Sequence, residues 1–256
     1  MRIAVCVKHV PSGRLWVQPD SKRLDREGPG ELNRADKNAV EEAIRLKERT
    51  SGTEVVAVSM GPKQAVESLR TVLALGADRA VLVSDPAAEG SDLLGTARVL
   101  AAVLDRQDAD LVLFGQQSGD GLGGVLIAAI AEMMQRPFVS QAAELEVADR
   151  VQVTRQTEFG DEVIDVPLPA LVSVGDSINE PRYTSLKGVM AAKKKPLEVV
   201  ALSDVGIDAT EAGQAGARTM VLELGAPPAR DSCARVEDES LAAQAIVEFL
   251  AERELI

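Results

Sequence analysis

Histidine, cysteine and aromatic residues are scarce in this sequence, and each shortage excludes a kind of function. The single histidine is His9, so this chain cannot build histidine-rich metal ligation or a histidine-based catalytic centre. The two cysteines, Cys6 and Cys233, fit no paired metal-binding spacing and indicate no disulfide framework. Aromatic residues make up 2% of the chain, too few for a base-stacking surface. The composition therefore argues against acid–base enzymology.

Basic charge and long apolar runs are also lacking. The formal charge of -12 disfavours nucleic acid as a partner, because phosphate contacts need a basic surface. No apolar run approaches the roughly 18 residues of a membrane span, so we expect no direct membrane insertion. The chain starts directly on a strand pattern with no signal peptide, which predicts a cytoplasmic location. With 46% apolar residues among 256, a globular core is expected.

Four short apolar runs alternate with amphipathic stretches over the first half of the chain. The runs lie at 2–8, 54–61, 79–85 and 110–116 and consist largely of Val, Ile, Ala and Leu. Such runs are typical of strands buried on both faces of a parallel sheet. Helical patterns follow them, at 33–47, 62–75, 92–104 and 122–134. This alternation predicts a doubly wound, mostly parallel α/β domain.

The pattern changes after residue 136. Alternating residues with turns at 148–149 and 160–161 predict an antiparallel β-hairpin, followed by a buried strand at 170–174. A short helix is expected near Leu186. Residues 203–231 are rich in Gly, Ala, Pro and Asp and indicate an extended arm, and a last amphipathic helix is expected at 237–253. Because such an arm has no core of its own, we expect it to lie on a partner.

A glycine-rich loop, GQQSGDGLGG at 115–124, follows the fourth strand. Ligands of doubly wound sheets bind beyond the carboxyl ends of the strands, where the strand order reverses. Glycines let backbone amides turn inward ahead of a helix N-terminus, which favours an anion. A phosphate site and a plain connection remain equally good interpretations, and Asp120 either accepts a ribose hydroxyl or caps the helix. The loop matches neither a Walker A motif nor a dinucleotide fingerprint.

Other polar and sulfur-containing residues near the predicted strand ends have a structural and a functional interpretation. Asn33 and Asp36 have nearly the spacing of a capping box, which is favoured over ligand contact. Cys6 is expected to be a packed thiol, and Met60 is a strand-end residue. His9 is interpreted as a surface histidine rather than a proton carrier.

The lysine run Lys193–Lys195 has a structural and a functional interpretation too. Such a run usually lies on a solvated face, but in a strongly acidic chain it is also suited to steering an acidic partner.

Several motifs in order make this chain resemble the beta subunits of electron transfer flavoproteins. The resemblance covers residues 1 to about 208, most of the chain. The motifs are VKHVP at 7–11, NAVEEAIRLKE at 38–48, VAVSMGP at 56–62, LRTVLALGADRAV at 69–81, DLVLFGQQ at 110–117, a hairpin with Arg155, Glu158, Glu162 and 169–172, and NEPRYTSLKGVMAAKKKPLEV at 179–199. Each motif alone is modest, but their common order and spacing are specific.

The resemblance implies a heterodimer with an alpha subunit that makes most of the FAD contacts, while this chain closes the FAD site and holds a structural AMP. It implies an adenine-nucleotide-binding α/β domain at 1–200, with the hairpin at 140–175 and a recognition loop at 180–196. Residues 201–256 would be the C-terminal arm and helix on the alpha subunit. The implied nucleotide pocket comprises Cys6, Asn33, Arg34, Ala35, Asp36, Met60, Gly115, Gln116, Gln117, Ser118, Gly119, Asp120, Gly121, Leu122, Gly123, Gly124, Val125 and Leu126.

The same resemblance implies electron transfer without bond chemistry by the chain itself. Electrons would come from acyl-CoA or similar dehydrogenases and pass to a quinone oxidoreductase. The implied docking residues are Leu186, Met190, Lys193, Lys194 and Lys195, with Leu186 as an apolar anchor; a leucine that caps the local core is the alternative.

Three departures from the family pattern leave alternatives open. Apolar residues at 125–127 replace polar ones in the loop, Gln156 stands where glutamate is common, and Phe159 stands where residues are small or acidic. In electron-bifurcating members a second FAD takes the AMP pocket. A free-standing adenine-nucleotide-binding sensor is a further alternative, whereas an ATP-using enzyme would need a triphosphate and magnesium cradle that the sequence does not show.

Overall fold

A computed structural model describes residues 1–26, 28–225, 228 and 239–256. The chain divides into two units, Met1–Val221 and Leu222–Ile256. The first unit contains the sheet and the hairpin, and the second contains the C-terminal helix. Cys233 and several residues of the predicted arm lie outside the described residues.

A central parallel sheet confirms the predicted fold class. Within the described residues it has seven strands, in the order β12-β5-β4-β1-β6-β11-β7, and every pairing is parallel. The strands are β1 Arg2–Cys6, β4 Glu54–Met60, β5 Arg79–Val83, β6 Leu111–Gly115, β7 Phe138–Ala142, β11 Ala170–Val174 and β12 Leu197–Val200. The apolar runs of the sequence correspond to β1, β4, β5, β6 and β11.

Helices cover both faces of this sheet, because alternate strand residues face opposite sides. Val55 and Ala57 of β4 belong to one core cluster, and Val56 and Val58 belong to the other. The helices are α1 Arg34–Arg49, α2 Val66–Leu75, α3 Leu93–Asp105, α4 Leu126–Met134, α5 Leu186–Ala192, α6 Gly213–Gly216 and α7 Glu239–Ala251. Helices α1 and α2 line the first cluster, and α3 and α4 line the second.

The fourth helix begins later than predicted. The pattern predicted a start at Leu122, but this residue has a φ of 49°, outside the helical region, and α4 begins at Leu126. The glycine-rich loop is therefore longer than expected, and it leads directly into a helix N-terminus. For the C-terminal helix, residues 237 and 238 of the predicted range lie outside the described residues.

Two smaller antiparallel sheets complete the first unit. The predicted hairpin is β8 Glu144–Val147, β9 Arg150–Thr157 and β10 Gly160–Pro167. Its second turn is at 158–159, not at 160–161, because Thr157 pairs with Gly160. A further hairpin, β2 His9–Pro11 and β3 Gly30–Leu32, was not predicted; its strands have three residues each, too few to show alternation.

The first unit extends beyond the predicted domain end at 200. The side chain of Asp92 caps α3 through the Gly95 N–H and also accepts the N–H groups of Arg218 and Thr219. These contacts hold the chain against α3 until the unit ends at Val221. Among the described residues, no helix is both long and apolar enough to cross a membrane.

Candidate functional site

The strand order reverses between β1 and β6. From β1 the chain moves through β4 and β5 on one side, and then crosses to β6 on the other side of β1. The connections leaving these two neighbouring strands part in opposite directions, which opens a crevice beyond their carboxyl ends. Cys6 ends β1 and Gly115 ends β6, so the fold brings two predicted pocket residues to this crevice.

Asn33 ties the start of α1 to the glycine-rich loop. Its Nδ2 donates to Asp36 Oδ1 at 2.9 Å and to the Gln117 carbonyl at 3.0 Å. Its Oδ1 accepts the Gly119 N–H at 3.1 Å. The side chain makes no capping hydrogen bond to α1, so the favoured capping interpretation is wrong. Asn33 instead joins two predicted parts of the pocket, the helix start and the loop.

Asp36 lies buried at the base of the crevice. Its Oδ2 accepts the Lys8 N–H at 2.7 Å, in addition to the bond from Asn33. Burial raises the pKa of Asp36 to about 7, although the hydrogen bonds from Asn33 and Lys8 oppose this shift. The carboxyl therefore titrates near neutrality, in contrast to an exposed aspartate.

Gly115 allows β6 to approach the first turn of α1 closely. A Cβ on Gly115 would lie 2.6 Å from the carbonyl carbon of Ala35 and would also overlap Asp36 Oδ1. Any side chain here would push the loop away from the helix. Glycine is therefore required at this position by the packing of the chain itself.

The later glycines of the loop have no such packing reason. A Cβ would meet nothing closer than 3.8 Å at Gly119, 3.4 Å at Gly121 and 3.5 Å at Gly124, and nothing within 4 Å at Gly123. None of these four residues is among those with positive φ. The loop thus keeps open space beside its backbone that side chains could fill, which fits a site where a ligand approaches the main chain.

Three backbone N–H groups at the end of this loop and the start of α4 lack an acceptor among the described residues. Within the described part of the chain, the N–H groups of Gly123, Val125 and Ile127 donate no hydrogen bond. They precede or begin α4, whose N-cap side chain contributes no cap. Helix N-termini with unpaired N–H groups attract anions. The donor set fits a phosphate group held by backbone, because the side chains of Val125 and Leu126 supply none.

Lys8 and Arg26 meet at Asp120, and the sequence analysis missed both basic residues. Lys8 Nζ lies 2.8 Å from Asp120 Oδ1, and Arg26 Nη2 lies 2.5 Å from Asp120 Oδ2. The Asp120 side chain is only 1% exposed. Burial by itself would raise its pKa, but the bonds and charges from Lys8 and Arg26, with a bond from Ser118, lower the pKa to about 2. Asp120 is thus an ionised carboxylate that joins Lys8 and Arg26, and its side chain does not cap α4.

The remaining predicted pocket residues lie along the same sheet edge. Cys6 is buried, and burial together with Asp36 raises the pKa of its thiol, which agrees with a packed, unreactive cysteine. Met60 ends β4, half-buried against the second core cluster. Arg34 is exposed and Gln116 is half-buried. The structure therefore collects the predicted pocket at one edge of the sheet.

His9 is buried, so its interpretation as a surface residue is wrong. Its Nδ1 lies 2.8 Å from Ser68 Oγ on α2, and its ring occupies the space that a Cβ on Gly30 would need. Burial lowers the pKa of His9 and favours the neutral ring. The residue fastens the small β2–β3 hairpin to α2.

Helix α5 presents exposed apolar side chains at helical spacing. Leu186 is 87% exposed and Met190 is 69% exposed, one turn apart. The alternative in which Leu186 caps the local core is therefore wrong. Gly188 sets the backbone of α5 directly against α2, since a Cβ there would overlap the Ala74 carbonyl. Two of the predicted docking residues, Leu186 and Met190, thus lie on a short helix that is fixed on its inner face.

The three lysines of the run have two different roles. Lys195 Nζ donates to the carbonyls of Leu73 at 2.9 Å and Ala77 at 2.6 Å, at the C-terminal end of α2. A cation there complements the helix dipole. Lys193 and Lys194 are exposed. Of the three lysines in the run, Lys193 and Lys194 are therefore free to meet a partner, while Lys195 holds the segment in place.

Polar contacts anchor the segment that precedes α5 to α1. Arg182 donates to both carboxylate oxygens of Glu41 and to both of Glu48, at 2.6–3.1 Å. Burial opposes ionisation of Glu41, but the Arg182 bonds outweigh it, and they lower the pKa of both glutamates. Asn38 Nδ2 donates to the Asn179 carbonyl at 2.8 Å, and Asn179 Nδ2 returns a bond to the Asn38 carbonyl. These contacts hold the segment that precedes α5 in a fixed position on α1.

Comparison with known proteins gives a consistent match. Residues 22–205 match the electron transfer flavoprotein domain family. The electron transfer flavoprotein subunit beta of Mycobacterium tuberculosis is 37% identical over 264 residues, 99% of both chains. The bovine subunit beta is 38% identical over 245 residues, 93% of both chains. Subunit CarD of the caffeyl-CoA reductase-Etf complex of Acetobacterium woodii is 38% identical over 234 residues, covering 90% of this chain and 89% of CarD.

The fold and the crevice define a doubly wound α/β protein with a glycine-rich loop at its switch point. Together with these matches, they show that the chain belongs to the electron transfer flavoprotein family, among its beta subunits. Beta subunits of this family are electron carriers, not enzymes in themselves. Membership implies pairing with an alpha subunit and a flavin in the resulting complex.

Proposed function

We propose that this chain, paired with its alpha subunit, accepts electrons from acyl-CoA or similar dehydrogenases and delivers them to a quinone oxidoreductase in the cytoplasmic compartment. The observation that carries this proposal is the crevice between β1 and β6, where Asn33 joins the start of α1 to the glycine-rich loop. In this proposal, a nucleotide bound in the crevice is a component of the electron carrier. The chain performs no bond chemistry of its own.

We assign a structural AMP to this crevice. Its phosphate is held by the backbone N–H groups of Gly123, Val125 and Ile127 at the start of α4. Cys6, Met60 and the first turn of α1, which lie along this sheet edge, would hold the adenosine part. Open space beside the glycines of the loop leaves room for the backbone to approach the phosphate closely.

The FAD is held mainly by the alpha subunit, and this chain closes the site. The flavin supplies the capacity to accept and donate electrons when it is bound. The residues of this chain bind the nucleotide, help to orient the flavin and dock the dehydrogenase. Helix α7 of the second unit has exposed apolar residues, among them Leu241, Ile246 and Phe249, and we assign the unit 222–256 to contact with the alpha subunit.

The dehydrogenase docks on α5. Leu186 inserts as an apolar anchor, with Met190 beside it, and burial of such a side chain in a partner's pocket is a typical source of binding energy. Lys193 and Lys194 surround the anchor and attract an acidic rim on the partner, which raises the association rate. Lys195 supports this surface from within, through its bonds to the end of α2.

A second candidate is a carrier that binds a second FAD in place of AMP. The similarity to a subunit of a caffeyl-CoA reductase-Etf complex favours it. The same crevice would take the adenylate half of that FAD. The exposed side chains of Leu122 and Val125 leave the outer side of the loop uncovered, where the remainder of the molecule would extend.

The bound nucleotides of the purified heterodimer test these candidates. Acid release followed by chromatography measures FAD and AMP per complex. One FAD and one AMP is the expected result, and two FAD molecules would indicate the second candidate. A heterodimer with FAD but no nucleotide at the crevice would contradict both assignments of the loop.

A further inference from the structure

The segment between β2 and β3 crosses the crevice edge of the sheet. We call residues 12–26 of this connection the cover segment. Its base is closed by the Ser12 N–H, which donates to the Pro29 carbonyl at 2.9 Å. Val17 pairs with Leu24 inside it, and the Asp25 N–H donates to the Trp16 carbonyl at 2.8 Å. The cover segment is therefore an ordered hairpin-like structure.

Two arginines fasten the cover segment to two separate loops. Arg26 forms the 2.5 Å ion pair with Asp120, in the loop after β6. Arg23 lies against Gly90, in the connection after β5, where a Cβ would overlap its guanidinium, and it lies 3.9 Å from the Glu89 carboxylate. The first pair is short and its carboxylate is buried, whereas the second is long and exposed, so Arg26 is the stronger attachment.

The strand order places the carboxyl ends of β4 and β1 between these two attachments. The sheet runs β5-β4-β1-β6, so a segment fixed at the loops after β5 and β6 spans the two strands between them. Those strands end at Met60 and Cys6, which belong to the proposed nucleotide pocket. Arg26 also lines a narrow cleft with Pro62, which follows β4, so the Arg26 end of the segment lies close to this edge.

From this arrangement we infer that the cover segment closes the nucleotide crevice, and that Arg26 is the positioning residue that holds it closed. The inference deepens the proposed function and rests on it, because it concerns the lifetime of the nucleotide in the same pocket. Release of the nucleotide requires the Arg26–Asp120 pair to open. Arg26 itself need not contact the nucleotide.

The second cation on Asp120 makes this inference testable without unfolding the loop. Lys8 Nζ lies 2.8 Å from Asp120 and 3.2 Å from Ser118 Oγ, so the carboxylate keeps a partner when Arg26 is removed. In an Arg26→Gln variant the loop after β6 therefore keeps its ion pair with Lys8, while the cover segment loses its bond to that loop and keeps the weaker contact made by Arg23. Arg14→Gln is the matched control: it removes the same charge from the same segment, and Arg14 is exposed and forms no ion pair within the described residues.

The experiment follows release of radiolabelled AMP from the purified heterodimer after addition of excess unlabelled AMP. We expect release about tenfold faster in Arg26→Gln, since a charge-assisted hydrogen bond contributes roughly that factor. Arg26→Lys should restore most of the retention, and Arg14→Gln should release AMP at the wild-type rate. Thermal melting should show that the nucleotide-free heterodimer stays folded at the assay temperature in all four proteins.

Two results would overturn the inference while leaving the proposed function intact. One is an unchanged release rate in Arg26→Gln, and the other is an equal acceleration in Arg14→Gln. A wild-type heterodimer that retains no labelled AMP at all would instead contradict the proposed nucleotide site, before any variant is compared.

Discussion

The protonation of Asp36, in the nucleotide crevice, makes the free energy of unfolding depend on pH. Its pKa is about 7 in the folded protein because of burial, whereas in the unfolded chain it is near the ordinary value of roughly 3.9. The folded state therefore holds a proton that the unfolded state has lost between these two pH values. As the pH rises from about 4 to about 7, the contribution of this carboxyl to the free energy of unfolding is lost.

Replacing Asp36 by asparagine removes this titration. We expect the melting temperature of Asp36→Asn, relative to the wild type, to be higher by a few degrees at pH 8 than at pH 5.5, since about 1 kcal/mol corresponds to roughly 2–4 °C for a domain of this size. Thermal melting of the heterodimer at the two pH values measures it. Asp149→Asn, at an exposed turn, is the control. A constant difference between variant and wild type at both pH values would contradict the assignment.

Two glycines of the same loop have different reasons to be glycine. Gly115→Ala places a Cβ 2.6 Å from the Ala35 carbonyl carbon, so we expect a loss of about 1–3 kcal/mol in stability from overpacking. Gly123→Ala meets nothing within 4 Å, so its stability should stay within about 0.5 kcal/mol of wild type while its Cβ reduces nucleotide retention. Denaturation and nucleotide content distinguish the two. Equal stability of both variants would refute the close approach at Gly115.

Individual side-chain roles were the least predictable part of the site. Sequence reasoning located Asn33 and Asp36 but assigned them to capping, because the three-residue spacing is a local pattern and the loop at 117–119 is brought to them only by folding. Lys8 and Arg26 were missed because their partner Asp120 is 112 and 94 residues away along the chain. The one available signal was that Lys8 follows a buried strand at the expected edge.

Among the helices and strands, the exposed helix α5 gives the clearest prediction for partner docking. Leu186→Ala removes a side chain that contacts little of its own chain, so stability should change by less than about 0.5 kcal/mol. Loss of an anchor at a docking interface typically costs about 2 kcal/mol or more, so the bimolecular rate of flavin reduction by an acyl-CoA dehydrogenase should fall at least roughly 30-fold.

Stopped-flow reduction of the heterodimer by the substrate-reduced dehydrogenase measures this rate. Leu94→Ala is the matched control, because Leu94 is a partly exposed leucine on α3, across the sheet from α5. It should react at the wild-type rate. If Leu186→Ala also reacts at the wild-type rate, docking does not use α5.

Strands buried on both faces were predictable from the sequence, whereas the strands at the edges of the sheet were not. Strands β1, β4, β5, β6 and β11 are buried on both sides and therefore appear as apolar runs. The strands β7 and β12 lie at the two edges of the sheet and carry exposed residues such as Phe138 and Glu198, so their sequences do not resemble buried strands. Both interpretations of the lysine run, a solvated face and a surface that steers an acidic partner, assumed exposed lysines, but Lys195 finds its acceptors where α2 ends beside it.

At the scale of the whole molecule, the two units differ in character. The first, Met1–Val221, contains both core clusters, the crevice and α5. The second, Leu222–Ile256, contains α7, whose described apolar side chains are largely exposed. A helix with this composition and no core of its own within the described residues is suited to a surface on another chain. This asymmetry supports the proposal of an obligate partner.

Co-purification tests the central proposal, that this chain is one half of a flavin-containing heterodimer, most directly. The measurement compares the chain produced alone with the chain co-expressed with its alpha subunit, by size-exclusion chromatography with absorbance at the flavin band. We predict a colourless, poorly behaved protein alone and a yellow one-to-one heterodimer on co-expression. A stable, flavin-free monomer in both preparations would contradict the proposal and favour a free-standing nucleotide-binding module.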